Sequence, residues 1–514
     1  MKTTKRFLAI LVAVMMVAAM LTIPAAAAND YAITIHNANS GHTYEAYQIF
    51  KGKLAVVGNA EILSDIEWGE DIKEESKSTL GSASAQASSL TMDNVAAFAT
   101  SIVAHLDGDP IGTADTLTDI QIAGIAHKGY VIADLEPGYY LIRDKSGSLN
   151  NEEDFHTSYI LEVVSNVTVS PKGTMPTVTN MVADINDSEQ TAVDAWADSA
   201  DYDIGDDVPF QITGTLPTNL SDYTTYAYAF HVTVGTGFTF NSDSVKVYVD
   251  GTEITTGFNV ISASTDGCTF GVKFDNIKAI PNVTYQSVIV VEYTAELNEN
   301  ATMGNDGGNA NSVHLEFSND PYGTTVGETA ADTVKVFTYQ LAIDKVDKSG
   351  AALTGAEFKV EKYNKNENTW DALTVVNQNV DGTVNEAIFF VNGVDDGLYR
   401  VTETVTPSGY NSNQPFYVEI NATHQLSGAV DPQMTGLTSN HADVNGNVIA
   451  SPANVTLNTV NMNSGRVPVV VINQAGATLP TTGGMGTTIF YVIGGILMIG
   501  AAAVMVTKKR GARG

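Results

Sequence analysis

Leu398-Tyr399-Arg400-Val401-Thr402-Glu403-Thr404 alternates inward and outward character, so as an extended segment it puts Tyr399, Val401 and Glu403 on one face. Two other stretches behave in the same way. Leu341, Ile343 and Lys345 share a face, with Asp344 on the other, and Val469, Val471 and Asn473 share a face. Apolar and polar residues alternate through most of the chain, and turn signals rich in Gly, Asn, Asp and Thr recur at intervals of about ten residues. This period of two predicts an all-β chain of antiparallel sandwiches.

Each of the three apolar faces ends in a polar residue: Lys345, Glu403 and Asn473. An unpaired buried charge is costly, so the three are expected to meet. Desolvation lowers a lysine pKa and raises that of a glutamic acid. A neutral Lys345 amine can then attack the side-chain carbonyl of Asn473, while protonated Glu403 polarises that carbonyl and shuttles protons as ammonia leaves. The expected product is an isopeptide bond between a first and a last strand. The alternative is a satisfied Lys-Glu-Asn network without a covalent bond.

The two ends read as processing segments. Lys2, Lys5 and Arg6 precede an apolar run from Phe7 to Ile23 and then Ala25 to Ala28, a secretory signal peptide expected over 1–28. At the other end Leu479-Pro480-Thr481-Thr482-Gly483 precedes an apolar run over 489–506 and the basic residues Lys508, Lys509 and Arg510. At about 1.5 Å per residue that run just spans a hydrocarbon core of about 30 Å. The basic tail is expected inside and the rest of the chain outside.

The sequence has 26 basic and 58 acidic residues, a formal charge of -32, which argues against nucleic acid or anionic lipid as a partner. The single cysteine, Cys268, excludes an internal disulfide. With no base apparent beside it in sequence, Cys268 reads as a half-buried strand thiol. The acidic run Asp198, Asp201, Asp203, Asp206 and Asp207 has no compact calcium-loop spacing and reads as a solvated face. No metal and no cofactor are expected.

Composition shifts divide the mature chain into an N-terminal domain over 29–170, a linker over 171–176, a middle domain over 177–337 and a C-terminal domain over 338–475, followed by a sorting segment over 476–514. One helix is expected near Met92 to Leu106, where Val95, Phe98, Ile102 and Leu106 share a face.

Several of these segments resemble known families. Leu479 to Gly483 with its hydrophobic and basic tail resembles the cell-wall sorting signal of Gram-positive surface proteins, which implies that a sortase cuts between Thr482 and Gly483. Lys345-Val346-Asp347, Leu353-Thr354-Gly355-Ala356-Glu357-Phe358 and Tyr399-Arg400-Val401-Thr402-Glu403-Thr404 with Pro407-Ser408-Gly409-Tyr410 resemble a CnaB-type domain, the stretch around Glu403 matching the E-box of Gram-positive pilins. Val167-Thr168-Val169-Ser170-Pro171-Lys172 resembles the pilin motif of sortase-assembled backbone pilins, with Ser170 in place of the usual Tyr. By strand parity Val167 and Val169 face inward and Lys172 outward. The resemblance implies that the Lys172 amine attacks the Thr482 acyl-sortase of another subunit.

Gly205 to Phe210, Leu216 to Asn219 and Phe317 to Pro321 resemble the CnaA-like second domain of such pilins. Members often carry a Lys-Asn bond there, but the lysine position appears here as Asn180 and the catalytic Asp position as Val232, leaving only Asn319. No bond is therefore expected in the middle domain, unless Lys246, Lys273 or Lys278 is recruited. None is expected in the first domain, whose opening strand lacks Lys and whose E-box position holds Asp144.

The resemblance implies three tandem immunoglobulin-like sandwiches and a structural shaft subunit at the cell surface, not an enzyme. Expected partners are identical pilin subunits, pilus-specific and housekeeping sortases, minor pilins and peptidoglycan, with a host receptor possible. The alternative is a wall-anchored adhesin or tip pilin that binds a host ligand and has no need of Lys172.

Overall fold

The computed structural model describes residues 31–476 apart from 58–59, 92–93, 150–153, 172, 186, 189–195, 263–266, 306–307, 322 and 379–381. Lys172, Leu479, Pro480, Thr481, Thr482, Gly483, the signal segment and the apolar run over 489–506 lie outside the described residues. No helix among the described residues is long and apolar enough to cross a membrane.

Alternation in the sequence becomes six sheets that face each other in pairs. In the first pair, a 4-stranded sheet contains Tyr31–Ile35 between Ile125–Leu135 and Val167–Val169, and a second sheet is built on Tyr44–Val57 and Gly138–Asp144. A core of Ile33, Ile35, Tyr44, Tyr130, Tyr140 and Tyr159 fills the space between them. The helix expected near Met92 to Leu106 occurs as Val95–Ile102, and among the described residues two further short α-helices that were not expected precede it, Glu74–Leu80 and Ala83–Ser89. Gly81, at φ 80, ends the former of these two, and the Ser82 hydroxyl accepts from the Ala85 N–H to start the latter. The expected face does pack inward, since Ile102 and Leu106 are buried with Ala99 under Phe50 and Trp68.

The second pair is a 6-stranded sheet centred on Asp207–Thr215 and Val288–Leu297 and a 7-stranded sheet centred on Asn309–Ser318 and Tyr228–Val234. Alternate residues of these strands, including Phe210, Ile212, Phe230, Val291, Tyr293 and Leu315, form the largest core among the described residues.

In the third pair, Tyr339–Asp347 lies between Ile388–Val394 and Arg466–Asn473, facing a sheet of Glu357–Asn364, Gly397–Val405, Phe416–His424 and Met434–Ala442 with Thr369–Leu373 at its edge. Tyr339–Asp347 and Arg466–Asn473 run parallel, with Ile343 opposite Val469 and Lys345 opposite Val471. Leu341, Ile343, Val469, Val471, Tyr399 and Val401 all enter one core, so parity assigns the faces of these strands as expected. Such a core supplies most of the driving force, at about 25 cal/mol per Å² of apolar surface removed from water.

Candidate functional site

At the end of that core the structure brings Lys345, Glu403 and Asn473 together. Asn473 pairs with Asp347, two positions beyond the partner of Lys345, and the length of the lysine side chain covers that offset. Lys345 and Asn473 are fully buried, while Glu403 is half-buried. The Asn473 Nδ2 amide donates to Glu403 Oε1 at 2.7 Å. The Lys345 Nζ donates to the Val471 carbonyl at 3.1 Å. Burial pushes the Lys345 amine down to about 8, against the opposing pull of the Glu403 carboxylate. A useful fraction of this amine is therefore neutral near pH 7.

Asn413 completes the site, and sequence reasoning did not select it. Its Nδ2 donates to Asn473 Oδ1 at 2.5 Å and to the Ile472 carbonyl at 3.0 Å. Its backbone N–H donates to Glu403 Oε2 at 3.0 Å. The Asn413 Oδ1 is held in turn by Asn454 Nδ2 at 3.3 Å, and Gln474 holds Asn454 Oδ1. The donor on the Asn473 carbonyl is thus Asn413, whereas Glu403 sits on the amide nitrogen. Sequence reasoning had placed Glu403 on the carbonyl; in this geometry it faces the leaving group.

The corresponding places in the other two sandwiches carry different chemistry. In the middle one, Asn180 is buried and donates from Nδ2 to the Asn311 carbonyl at 2.9 Å, beside the Tyr293–Asn311 pair. Asn319 lies elsewhere, at the contact with the first sandwich, where its carbonyl accepts from the His156 N–H at 2.8 Å. Val232 is a core residue. Lys246 is exposed, Lys273 pairs with Asp275 at 3.7 Å, and Lys278 donates to the Leu220 carbonyl at 3.0 Å. In the first sandwich, Asp144 is fully buried and binds His42 Nδ1 at 2.7 Å and the Thr157 N–H at 2.8 Å.

Around the linker, Val167 and Val169 pack against the first core and Thr168 is exposed, as parity requires. Pro171 is half-buried. Gly173 has φ +140, and a β-carbon there would lie 2.9 Å from the Phe155 ring.

The acidic run is not a solvated face. Asp201 is buried, and Asp203 Oδ2 accepts from Lys362 Nζ at 2.6 Å, across the junction between the middle and C-terminal sandwiches. Asp187 and Asp395 also bind that ammonium, which is only 1 % exposed. Burial opposes charge on Lys362, but Asp395, Asp203 and Asp187 together outweigh it and hold the ammonium protonated. The signal was present in sequence: Phe358, Val360 and Lys362 share a strand face, the pattern that had singled out Lys345.

Residues 339–431 match the SpaA family, described as a prealbumin-like fold domain, and residues 472–512 match the LPXTG cell wall anchor motif. The chain is 26 % identical over 369 residues to the trypsin-resistant surface T6 protein of Streptococcus pyogenes serotype M6, an alignment covering 60 % of this chain and 65 % of that protein. The chain thus spans less than two thirds of that relative's length. Among solved structures, the three-domain T6 backbone pilin of serotype M6 S. pyogenes superposes with a TM-score of 0.52 at 17 % identity, covering 88 % of this chain and 100 % of that one. The full-length major pilin SpaD of Corynebacterium diphtheriae aligns with a TM-score of 0.45 at 13 % identity, covering 87 % and 98 %. The chain therefore has the fold of a three-domain pilin, and its C-terminal segment is that of an exported protein attached to the cell wall.

Proposed function

We propose that this wall-anchored chain is the repeating shaft subunit of a sortase-assembled pilus, in which Thr482 of one copy is joined to Lys172 of the next. The Thr482–Gly483 amide is exchanged for an amide between the Thr482 carbonyl and the Lys172 amine, and the Gly483 amine departs with the hydrophobic tail. Repeated on identical chains, this heterologous contact does not close and gives an open polymer. The observation that carries the reading is the order of parts on one chain. The sorting motif lies in the anchor segment, and Lys172 comes three residues after the Val167–Val169 strand, whose valines face the core while Thr168 faces solvent. Pilus-specific and housekeeping sortases, minor pilins and peptidoglycan are the partners this reading requires.

In the C-terminal sandwich, the reading includes a bond between Lys345 Nζ and Asn473 Cγ. The neutral amine attacks Cγ, and Asn413 stabilises the oxyanion that develops on Oδ1. Glu403 takes the proton from the attacking amine and delivers it to Nδ2, so that ammonia leaves. The polymer is tested by co-expression with a pilus-type sortase. Wild type should give a high-mass ladder and Lys172→Ala should give none. A ladder that persists unchanged in Lys172→Ala overturns the assignment of this lysine.

A further inference from the structure

On the outer face of the 7-stranded sheet, three metal-binding side chains meet. His231 on Tyr228–Val234 lies directly opposite His314 on Asn309–Ser318, their ring centroids 4.9 Å apart and their planes within 15°. Cys268 reaches the same place from the segment leading into Phe270–Phe274, the strand that pairs on the other side of Tyr228–Val234. One ligand atom from each residue lies within 4.8 Å of the others. Cys268 is buried and the two histidines are half-buried. The Cys268 found here is therefore not the thiol without a neighbouring base that its sequence context suggested.

We propose that His231, His314 and Cys268 form a binding site for a zinc-type divalent transition ion. Two imidazoles and a thiolate are borderline-to-soft donors, the set that takes zinc and rejects calcium and magnesium. Bond lengths of about 2.0–2.1 Å to nitrogen and 2.3 Å to sulfur place such ligands somewhat closer together than 4.8 Å, a contraction within reach of side-chain rotation. On binding, the Cys268 S–H bond breaks, a metal–sulfur bond forms and the proton passes to solvent. The Thr233 hydroxyl, 3.6 Å from Cys268 Sγ, is placed to donate to the thiolate. Glu328, with Oε2 3.9 Å from His314 Nε2, sets a carboxylate beside the added positive charge. Water takes the fourth position. Of the two other compact clusters among the described residues, Asp187, Asp203 and Asp395 already hold the Lys362 ammonium, and Asp184, Asp201 and His424 carry two carboxylates and no thiolate.

The ion ties together three neighbouring segments of the 7-stranded sheet, in a sandwich where Val232 of that sheet and Asn180 of the facing 6-stranded sheet stand where a cross-link would need an acid and an amine. The test uses the full-length chain freed of metal with a chelator. Calorimetric titration with zinc should show one saturable equivalent with proton release, and calcium should show none. Cobalt(II) should give thiolate-to-metal charge-transfer absorption. Cys268→Ser, which preserves shape, should abolish that band. It should weaken zinc by at least roughly 100-fold, beyond the cost of losing an outer-shell partner. His314→Ala should weaken zinc similarly, with circular dichroism confirming that both variants fold. Zinc binding that is unchanged in Cys268→Ser, or no saturable equivalent in the wild type, overturns the proposal.

Discussion

The side-chain amide of Asn473 is gripped at both ends, its oxygen by Asn413 and its nitrogen by Glu403. This geometry separates the two roles. Asn413→Ala should slow bond formation by about 10²–10³-fold, the usual effect of deleting one oxyanion donor, while still allowing the bond to form with time. Glu403→Ala should prevent it. Intact mass reads both outcomes: wild type should be lighter than its sequence by one ammonia, Glu403→Ala should have full mass, and Asn413→Ala should begin at full mass and lose ammonia slowly. A wild-type deficit of two ammonias would reveal a second bond. Lys345, Glu403 and Asn473 were legible in the sequence because strand parity exposes a polar residue on an apolar face. Asn413 was not, because it sits between Gly397–Val405 and Phe416–His424, in irregular backbone with no period to read. Cys268 and its histidines were illegible for a similar reason, since the register that joins them is a long-range property.

At the scale of elements, the strand Glu357–Asn364 contributes both to a core and to a junction. Its Phe358 and Val360 are buried within the C-terminal sandwich, while Lys362 leaves that core to meet Asp203 and Asp187 of the middle one. Replacing the lysine by an apolar residue of similar length leaves the carboxylates facing one another without a cation. Lys362→Met should cost about 3–5 kcal/mol, the penalty for breaking a buried ion pair from one side. Denaturant unfolding of the wild type and variant measures it, and a loss below about 1 kcal/mol would mean that the site behaves as an exposed pair. Backbone contacts reinforce the same junction. The Gly304 N–H donates to the Thr338 carbonyl at 3.0 Å, and a β-carbon on Gly304 would lie 2.2 Å from the Gly465 nitrogen. The helices show the opposite limit of legibility. Glu74–Leu80 and Ala83–Ser89 are short and rich in small polar residues, so no apolar stripe announces them.

Across the whole molecule, the junction makes stability depend on pH. Burial and the nearby Asp184 charge push the Asp201 carboxyl up to about 7, and burial with Asp203 pushes Asp206 up to about 6. A carboxyl whose pKa is higher in the folded state binds more protons there than in the unfolded chain. Its contribution is therefore full below about pH 4 and is lost as the pH rises through 6 to 7. Lys362 does not contribute in this window, because its pKa is raised and it remains charged throughout. Scanning calorimetry should show the transition of the middle and C-terminal units at a lower temperature at pH 8 than at pH 5, by about 2–4 °C for each kcal/mol involved. Asp201→Asn should flatten that slope; a slope unchanged in Asp201→Asn would place its origin elsewhere.

The parallel pairing of Tyr339–Asp347 with Arg466–Asn473 also determines which parts of a stretched fibre carry load. In the proposed polymer, with subunits joined at Lys172 and Thr482, a pull would enter after the first sandwich and leave beyond the third. Residues 31–170 hang beside the line of force and need no covalent brace. In the third sandwich, the proposed side-chain bond would carry the force from Lys345 straight to Asn473, leaving residues 346–472 slack. The middle sandwich is then the one segment of the line whose resistance depends on hydrogen bonds, core packing and any bound ion, and it sets how far the fibre yields before it stiffens.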